Sequence, residues 1–494
     1  MKVAFILCPI WDSTYMPCNL ALLSAQLKRH GHTPLIFDFN KELSLLNVQV
    51  SDFSNFPRSA NPWADAAFAR NKILAEYRPQ VDALIDRILS SGARVVGFST
   101  YFVNSHAVML VATLLKQKDP GITTILGGSS CSGFNNCLDY LKNKQVDAVA
   151  YGEADESFPL FVSAMEKSGR PSPRPGILTR DGGGQAGPVY PPAANLEELP
   201  HPDFSGFQTE LYQGKIVQMS RGCVRRCVYC DRWSAGQKYR SMSGKRFFEQ
   251  ICCQLRRDPL INNFSLADFL INGVPAELSK FCDLCVENRL DIKWDAFAIT
   301  SPQMEQPLLE KMKLSGCTKL YYGIESASPQ VLAAMNRPTS VGTMAKVIKY
   351  TAAAGIGTRL SCIIGYPTET DDNFQETLDF FKENRHNIKY IKPSLCSAYQ
   401  NDGRWEKLGL PAQRHFLFWE DKDKKNTFPI RIERLKKLIR LGQEYGIEMI
   451  LEGNGIEMIL EGRSCDPDEY IAGYMDQYDN YMWHLNKTLP RRRQ

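Results

Sequence analysis

Cys223, Cys227 and Cys230 stand close together on Ser220-Arg221-Gly222-Cys223-Val224-Arg225-Arg226-Cys227-Val228-Tyr229-Cys230. The spacing is C-x3-C-x2-C. Three thiolates on one short loop can hold three corners of a cubane iron–sulfur cluster. Gly222 lets the backbone turn tightly beside the metal. Arg225 and Arg226 offset thiolate charge and are expected to lower the cysteine pKa values. A fourth cysteine at matching spacing is absent, so one iron stays open, as catalysis requires. The plainer readings are a zinc site short of a ligand, or surface thiols. Zinc normally takes four ligands, and none of the seven histidines lies nearby. The iron–sulfur reading is the stronger one.

The chain has 15 cysteines in 494 residues. That number is odd and too sparse for a disulfide scaffold, so a reducing compartment and a thiolate-bound metal fit better than paired disulfides. Cys282 and Cys285 have C-x2-C spacing but share a helical face with Leu278 and Phe281, which suits a buried apolar role. Cys252 and Cys253 cannot both face one site. Cys362 and Cys396 fall in or after predicted strands, where core packing is the first expectation.

Those residues need a scaffold. At roughly 150 residues per domain the length suggests about three domains. Composition is that of a globular protein, 44% hydrophobic and 23% charged, which argues against long disorder. A net charge of +5 is too mild for a nucleic-acid surface, and Arg491, Arg492 and Arg493 read as a solvated tail. No stretch approaches the roughly 18 apolar residues that span a bilayer. The opening VAFILCPI has one preceding positive charge and no small-residue cleavage site, so it reads as a first strand and not a signal peptide. A cytoplasmic protein without a membrane partner is expected.

From residue 1 to 166, apolar runs alternate with helical periodicity: VAFIL (3–7), PLIFDF (34–39), RVVGFST (94–100), ITTILGG (122–128) and DAVAYGE (147–153). Val81, Leu84, Ile85, Ile88 and Leu89 share one helical face. Strands apolar throughout, alternating with helices, predict a doubly wound, Rossmann-like parallel sheet covered on both sides. The polar and aromatic stretch 43–70 looks like an insertion. Residues 167–214 are rich in Pro and Gly and read as a linker. Gly182-Gly183-Gly184 is not a phosphate loop, since no Lys-Ser/Thr follows.

Over 215–396 the alternation resumes: IVQMS (216–220), FSLAD (264–268), IKWDAFA (292–298), KLYYGIE (319–325), TRLSCIIG (358–365) and IKYIKP (388–393). Six βα units predict a barrel or partial barrel with its chemistry at the strand C-terminal ends. Residues 397–494 look mainly helical. GIEMILEG occurs twice there, at 446–453 and 455–462, too few copies for a solenoid.

The cysteine loop, placed after a first barrel strand, resembles the radical S-adenosylmethionine superfamily. The likeness extends over nearly the whole chain to its subgroup with an N-terminal cobalamin-binding domain. That resemblance implies a partial (β/α)6 barrel and an open iron chelated by S-adenosylmethionine. It implies that Tyr229 packs near adenine and that Asp268, in Phe264-Ser265-Leu266-Ala267-Asp268, helps hold the cofactor's amino group. Tyr322-Gly323-Ile324-Glu325-Ser326 resembles the motif near ribose and methionine. Ile363-Ile364-Gly365-Tyr366-Pro367-Thr368-Glu369 resembles the glycine motif whose backbone meets adenine. Asp268 and Glu325 each end a predicted strand, where a carboxylate suits an ammonium or a hydroxyl; either could instead cap the next helix.

The N-terminal sheet resembles the cobalamin-binding fold, which holds its ligand at strand C-terminal ends. The matching pieces are Ser99 and Thr100, Gly127-Gly128-Ser129, and Gly152-Glu153. Residues 9–19 lack the Asp-x-His-x-x-Gly motif, so cobalamin would bind without a histidine ligand. The mechanism implied is one-electron cleavage of S-adenosylmethionine to a 5′-deoxyadenosyl radical, hydrogen abstraction from an unactivated carbon, and methyl transfer from methylcobalamin. The expected function is a radical methyltransferase acting on a biosynthetic small molecule, peptides included, with a flavodoxin or ferredoxin as electron donor. The alternatives are a cyclisation, oxidation or rearrangement without methyl transfer, and a binding protein without catalysis.

Overall fold

The computed structural model describes residues 1–46, 66–182, 195–230, 238–398 and 417–451, except 10, 12, 13 and 133, together with 405, 408, 410, 471, 472 and 475. Its strands, in chain order, are β1 (Lys2–Ile6), β2 (Tyr15–Met16), β3 (Thr33–Phe37), β4 (Val95–Ser99), β5 (Thr123–Gly127), β6 (Ala148–Ala150), β7 (Ile177–Thr179), β8 (Gly214–Val217), β9 (Ser220–Arg221), β10 (Arg240–Ser241), β11 (Asn263–Leu266), β12 (Lys293–Ala298), β13 (Cys317–Glu325), β14 (Gly357–Ile364), β15 (Tyr390–Leu395) and β16 (Glu448–Met449).

The first sheet has the order β3-β1-β4-β5-β6-β7 and is parallel up to its last pair, β6 and β7, which run antiparallel. Reversal of strand order beside β1 leaves a crevice at the strand C-terminal ends. β4 is buried along its whole length, as a strand covered on both faces must be. The helix Arg78–Ser90 buries Val81, Leu84, Ile85 and Ile88, the face its periodicity predicts. β7 lies in the stretch read as a linker, so the sheet extends farther along the chain than the apolar pattern suggests. It is only three residues long, which a Pro-rich stretch permits. The helices Phe39–Ser44 and Ala66–Glu76 overlap the two ends of the expected insertion; residues 47–65 between them lie outside the described set.

The second sheet is entirely parallel, in the order β16-β15-β14-β13-β12-β11-β8-β2. The six strands β8 and β11 to β15 are those the sequence predicts for the barrel. Among the described residues the two edge strands do not pair, so the barrel stays open. A continuous apolar layer packs between these strands and their helices, with Trp294, Tyr322 and Phe264 wholly enclosed.

Three local departures from the sequence reading bear on the site. The predicted strand 216–220 splits: β8 stops at Val217, and Ser220–Arg221 pairs antiparallel with Arg240–Ser241 as a separate ribbon. β2, from the N-terminal loop, pairs with Gly214 and Lys215 at the barrel edge, tying the two sheets together. In the region read as helical, β16 pairs with Tyr390 and Ile391. It forms because Gly446 ends the helix Phe428–Tyr445 in the left-handed conformation, at φ 67°, and releases an apolar segment into the sheet. The first GIEMILEG copy, described as far as Leu451, is thus a helix stop and an edge strand; the second lies wholly outside the described residues.

Candidate functional site

The ribbon β9/β10 projects the cysteine loop from the C-terminal end of β8. Gly222 turns at φ 80°, and a β-carbon there would lie 2.7 Å from the Lys238 carbonyl oxygen. The loop is docked on the segment after the helix Pro329–Ala334. The Val228 N–H donates to the Met335 carbonyl at 3.0 Å. Asn336 Nδ2 donates to the Arg226 carbonyl at 2.8 Å, and Arg225 Nη1 donates to the Pro338 carbonyl at 3.0 Å. Cys227 is buried, Cys223 and Cys230 are half-buried, and none of the three is in a disulfide. Among the described residues no three Cys, His, Asp or Glu side chains close on a point as the ligands of a single metal ion do. Three thiols spread along a loop, on a glycine turn that admits no side chain, fit a cluster that gives each thiolate its own iron.

Electrostatics at Cys223 differ from expectation. Burial pushes its thiol up, against the Arg225 N–H and the charges of Arg225 and Arg337 that pull it down. Arg226 is exposed. Desolvation outweighs the loop arginines.

Gly222→Ala is expected to cost the loop about 1–2 kcal/mol through its left-handed backbone, with further loss from the Lys238 contact. Iron and sulfide per chain after anaerobic reconstitution should fall well below the parent. Full cluster content in that variant would show the turn to be dispensable.

Asp268 lies two residues past β11 and is 1% exposed. Its Oδ2 accepts from the Met219 N–H at 3.1 Å. Its Oδ1 accepts from the Ser220 hydroxyl at 2.5 Å and from the Ser220 N–H. Burial pushes the carboxyl up to about 7 against these donors. Sequence reasoning placed it on an ammonium; in the fold both oxygens hold the chain that enters the cysteine loop.

Glu325 closes β13 at φ 65°, a conformation that costs a non-glycine residue energy and marks functional positions. The register slips between Gly323 and Glu325 against β14, and the bulge re-aims the side chain. The Glu325 carboxylate lies 3.9 Å from Arg337 Nη1. Arg337 Nη1 also donates to the Tyr229 hydroxyl at 2.7 Å and lies 3.7 Å from the Cys227 sulfur, while its Nη2 donates to the Gly323 carbonyl. Burial raises the Glu325 carboxyl, opposed by Arg337 and by a hydrogen bond from Tyr229. Arg337 was not singled out from the sequence, because a lone arginine before a proline carries no spacing signal. Tertiary packing makes it the link between a cluster cysteine, Tyr229 and Glu325.

Ser326 is fully buried; it meets Thr377 at 3.2 Å and accepts from the Ser328 N–H. Its hydroxyl is committed to the helix Asp371–Glu383. Ile364 points its side chain into the core, and its carbonyl accepts from the Cys396 N–H. Gly365 turns at φ 77°, its N–H donating to Glu369 Oε2 at 2.7 Å. A β-carbon there would run into Arg431 of the helix Phe428–Tyr445. Cys282, Cys285 and Cys362 are core residues, as expected; Cys396 is buried in a smaller cluster with Tyr366 and Trp419.

A cavity of about 420 Å³ opens between the first sheet and the barrel. Ser99, Gly127, Gly128, Gly152 and Glu153, all expected from the sequence, line it. Thr100 does not: it is fully buried below Gly128, whose β-carbon would strike its carbonyl at 2.6 Å. Ser129 is exposed outside the lining. Trp11, Asn19 and Tyr101 line the cavity too and were missed. Trp11 and Tyr101 stack at 4.4 Å between ring centroids, and Asn19 Nδ2 donates to the Ser99 and Tyr101 hydroxyls at 2.9 and 3.2 Å. The barrel contributes Ile216, Arg221, Gly222 and Phe269. Glycine backbone on one side and aromatic rings on the other suit a flat, largely apolar ligand. No helix among the described residues is long and apolar enough to cross a membrane.

The Radical SAM superfamily profile matches residues 217–381, from the end of β8 through the cysteine loop and the motifs of Asp268, Glu325 and Gly365. An uncharacterized methyltransferase of Pyrococcus horikoshii is 25% identical over 322 residues, 63% of this chain and 68% of that protein. TsrM, a radical S-adenosylmethionine methyltransferase from Kitasatospora setae solved with tryptophan substrate and a SAM analogue, superposes over 96% of both chains. The TM-score is 0.66 at 14% identity, and TsrM has also been solved with cobalamin and a [4Fe-4S] cluster bound. OxsB, a cobalamin-dependent S-adenosylmethionine radical enzyme solved with aqua-cobalamin, aligns at TM-score 0.61 and 18% identity over 77% of this chain. The alignment covers 52% of OxsB, so this chain spans about half that enzyme's length. At these identities the likeness is one of fold: a parallel N-terminal sheet set against an open parallel barrel.

Proposed function

Residues 217–381 are a radical SAM domain, with the [4Fe-4S] cluster and S-adenosylmethionine such a domain uses, and on that premise we propose a cobalamin-dependent radical methyltransferase. Its acceptor is an unactivated carbon of a small biosynthetic molecule, and its reductant a flavodoxin or ferredoxin. The observation that carries this reading is the shared cavity: Ser99, Gly127 and Gly152 form one wall, and Gly222, adjacent to Cys223, forms another. A ligand held by the first sheet is thereby brought beside the cluster loop. The TsrM and OxsB likenesses support cobalamin as that ligand.

When bound, the cluster and S-adenosylmethionine supply homolytic hydrogen abstraction, and cobalamin supplies a transferable methyl group. The chain does the rest. Cys223, Cys227 and Cys230 hold the cluster. Asp268 braces the entry to their loop. Tyr229 and Glu325, tied by Arg337, present a ring and a carboxylate beside Cys227. Gly365 offers close backbone approach. Trp11 and Tyr101 add apolar ring surface to the cavity lining.

The test is anaerobic purification with hydroxocobalamin, followed by assay of both nucleoside products of S-adenosylmethionine. Roughly equal 5′-deoxyadenosine and S-adenosylhomocysteine are expected. Deoxyadenosine alone would favour cyclisation, oxidation or rearrangement. Neither product under reducing conditions would defeat an enzymatic reading.

A further inference from the structure

The ribbon that carries the cysteine loop contains an electrostatic conflict. Arg221 of β9 is the direct cross-strand partner of Arg240 of β10, and like charges directly opposed push a two-stranded ribbon apart. The compensation comes from the loop after β6, in the other sheet. Arg221 Nη1 donates to Glu153 Oε2 at 2.9 Å and to Asp155 Oδ2 at 2.5 Å. Arg221 Nη2 donates to Asp155 Oδ1 at 3.0 Å. Arg240 Nη1 donates to Glu153 Oε2 at 3.2 Å, and its Nη2 to Glu153 Oε1. Arg221 is thus gripped by two carboxylates, and both ribbon arms share Glu153.

The group is nearly dry. Side-chain exposure is 13% for Arg221, 7% for Asp155, 10% for Glu153 and 22% for Arg240. Charges so enclosed are poorly screened, and their geometry is held more tightly than that of a surface pair. Two cations and two anions balance, so no member can be lost without stranding another. The group also forms part of the cavity wall: Arg221, Gly222, Glu153 and Asp155 all line it. The sequence reading took Glu153 as a ligand contact. In the fold its carboxylate is turned to the two arginines.

We propose that Arg221 is a positioning residue that couples the two cofactor sites. Through Asp155 and Glu153 it closes the ribbon, and with it the cysteine loop, onto the loop that walls the cavity. A ligand that orders the wall after β6 then also orders the cluster loop. By thermodynamic linkage, a filled cluster site tightens the cavity's hold on its ligand by the same factor. The proposal rests on the cavity being the seat of cobalamin, as argued above.

The test follows iron loss to a chelator from the anaerobically reconstituted full-length chain, with and without saturating hydroxocobalamin. Cluster loss is read optically, so no turnover is needed. In the parent chain hydroxocobalamin is expected to slow iron loss about tenfold, a usual size for coupling between sites. In R221Q, compared at a hydroxocobalamin concentration that saturates the variant and expressed per cluster bound, the protection should fall to about twofold or less. Asp155→Asn should do the same and carries the test if R221Q does not fold. Full protection in both variants would overturn the coupling role of Arg221. A parent chain that binds cobalamin without protecting its cluster would overturn it too, while leaving the cobalamin reading intact. A parent chain that binds no cobalamin would instead overturn that reading, and the coupling with it.

Discussion

Replacing Cys227 with alanine is expected to leave a folded chain that cannot retain a four-iron centre and yields no detectable 5′-deoxyadenosine. Cys227 is the middle member of the trio and the most buried, at 6% exposure. It lies on the turn closed by the Cys230 N–H to the Cys227 carbonyl at 3.2 Å. Its sulfur also faces Arg337, so its removal cuts the cluster site from the knot that presents Tyr229 and Glu325. Losing an outer-shell partner of a metal ligand typically costs 10–100-fold, and losing a ligand itself costs more, here about a thousandfold or beyond in product formation. Cys285→Ala is the matched control. Cys285 sits in a C-x2-C pair but is buried in the core away from the loop, so that variant should keep its cluster and lose only stability. A Cys227→Ala chain with an intact four-iron spectrum that still responds to S-adenosylmethionine would refute the assignment of the loop.

The second large effect is expected at Arg434, far from any motif. Arg434 and Glu369 are 3% and 1% exposed and pair at 3.2 Å. Glu369 Oε2 also accepts the Gly365 N–H, and Arg434 binds Asp371 as well. The helix Phe428–Tyr445 thereby fixes the glycine turn at the end of β14. Arg434→Ala strands a buried carboxylate, which costs about 3–5 kcal/mol. The barrel's melting midpoint should fall by roughly 6–20 °C at pH 8.

The pH dependence has a definite sign. Burial raises Glu369 from 4.5 to about 7, against the pull of Arg434. The folded carboxyl therefore holds its proton more tightly than the unfolded one. Its stabilising contribution is complete below about 4.5 and is lost as pH rises through about 7. Without Arg434 the carboxyl rises further, so at pH 6 it is protonated and the defect shrinks. A variant whose destabilisation is equal at pH 6 and pH 8 would contradict this account.

Some of the molecule was legible from local pattern alone. β4 and β5 announce themselves by runs of apolar residues, because a strand covered on both faces has no choice of composition, and the six barrel strands by short apolar or alternating runs set between helical stretches. The cysteine loop was legible because metal ligation dictates residue type and spacing within one short segment. Cys282 and Cys285 were rightly read as core, since a shared helical face leaves a record in the periodicity. Side-chain direction was not legible. Ile364 and Ser326 sit inside the motifs, and alternation along a strand and the packing of one helix turn their side chains into the core, which leaves the backbone of the Ile364-Gly365 turn for the contact the resemblance implies. Asp268 lies two residues past its strand rather than at its end, where its oxygens accept from Met219 and Ser220.

The sequence by itself determined the principal strands of the two sheets, their order, and the spacing of the three cysteines proposed to hold the cluster, since each depends on residues near one another along the chain. Only the tertiary structure decided which charges meet. Arg337 reaches Glu325 and Cys227, Arg221 reaches Glu153 and Asp155, and Arg434 reaches Glu369, each by a pairing that spans a loop, a domain or a helix. Such pairs require only that opposite charges share a buried space, and no local periodicity records who the partner is. The strand β2 is the same case in backbone form: Tyr15 and Met16 join the barrel because its edge stands open beside them.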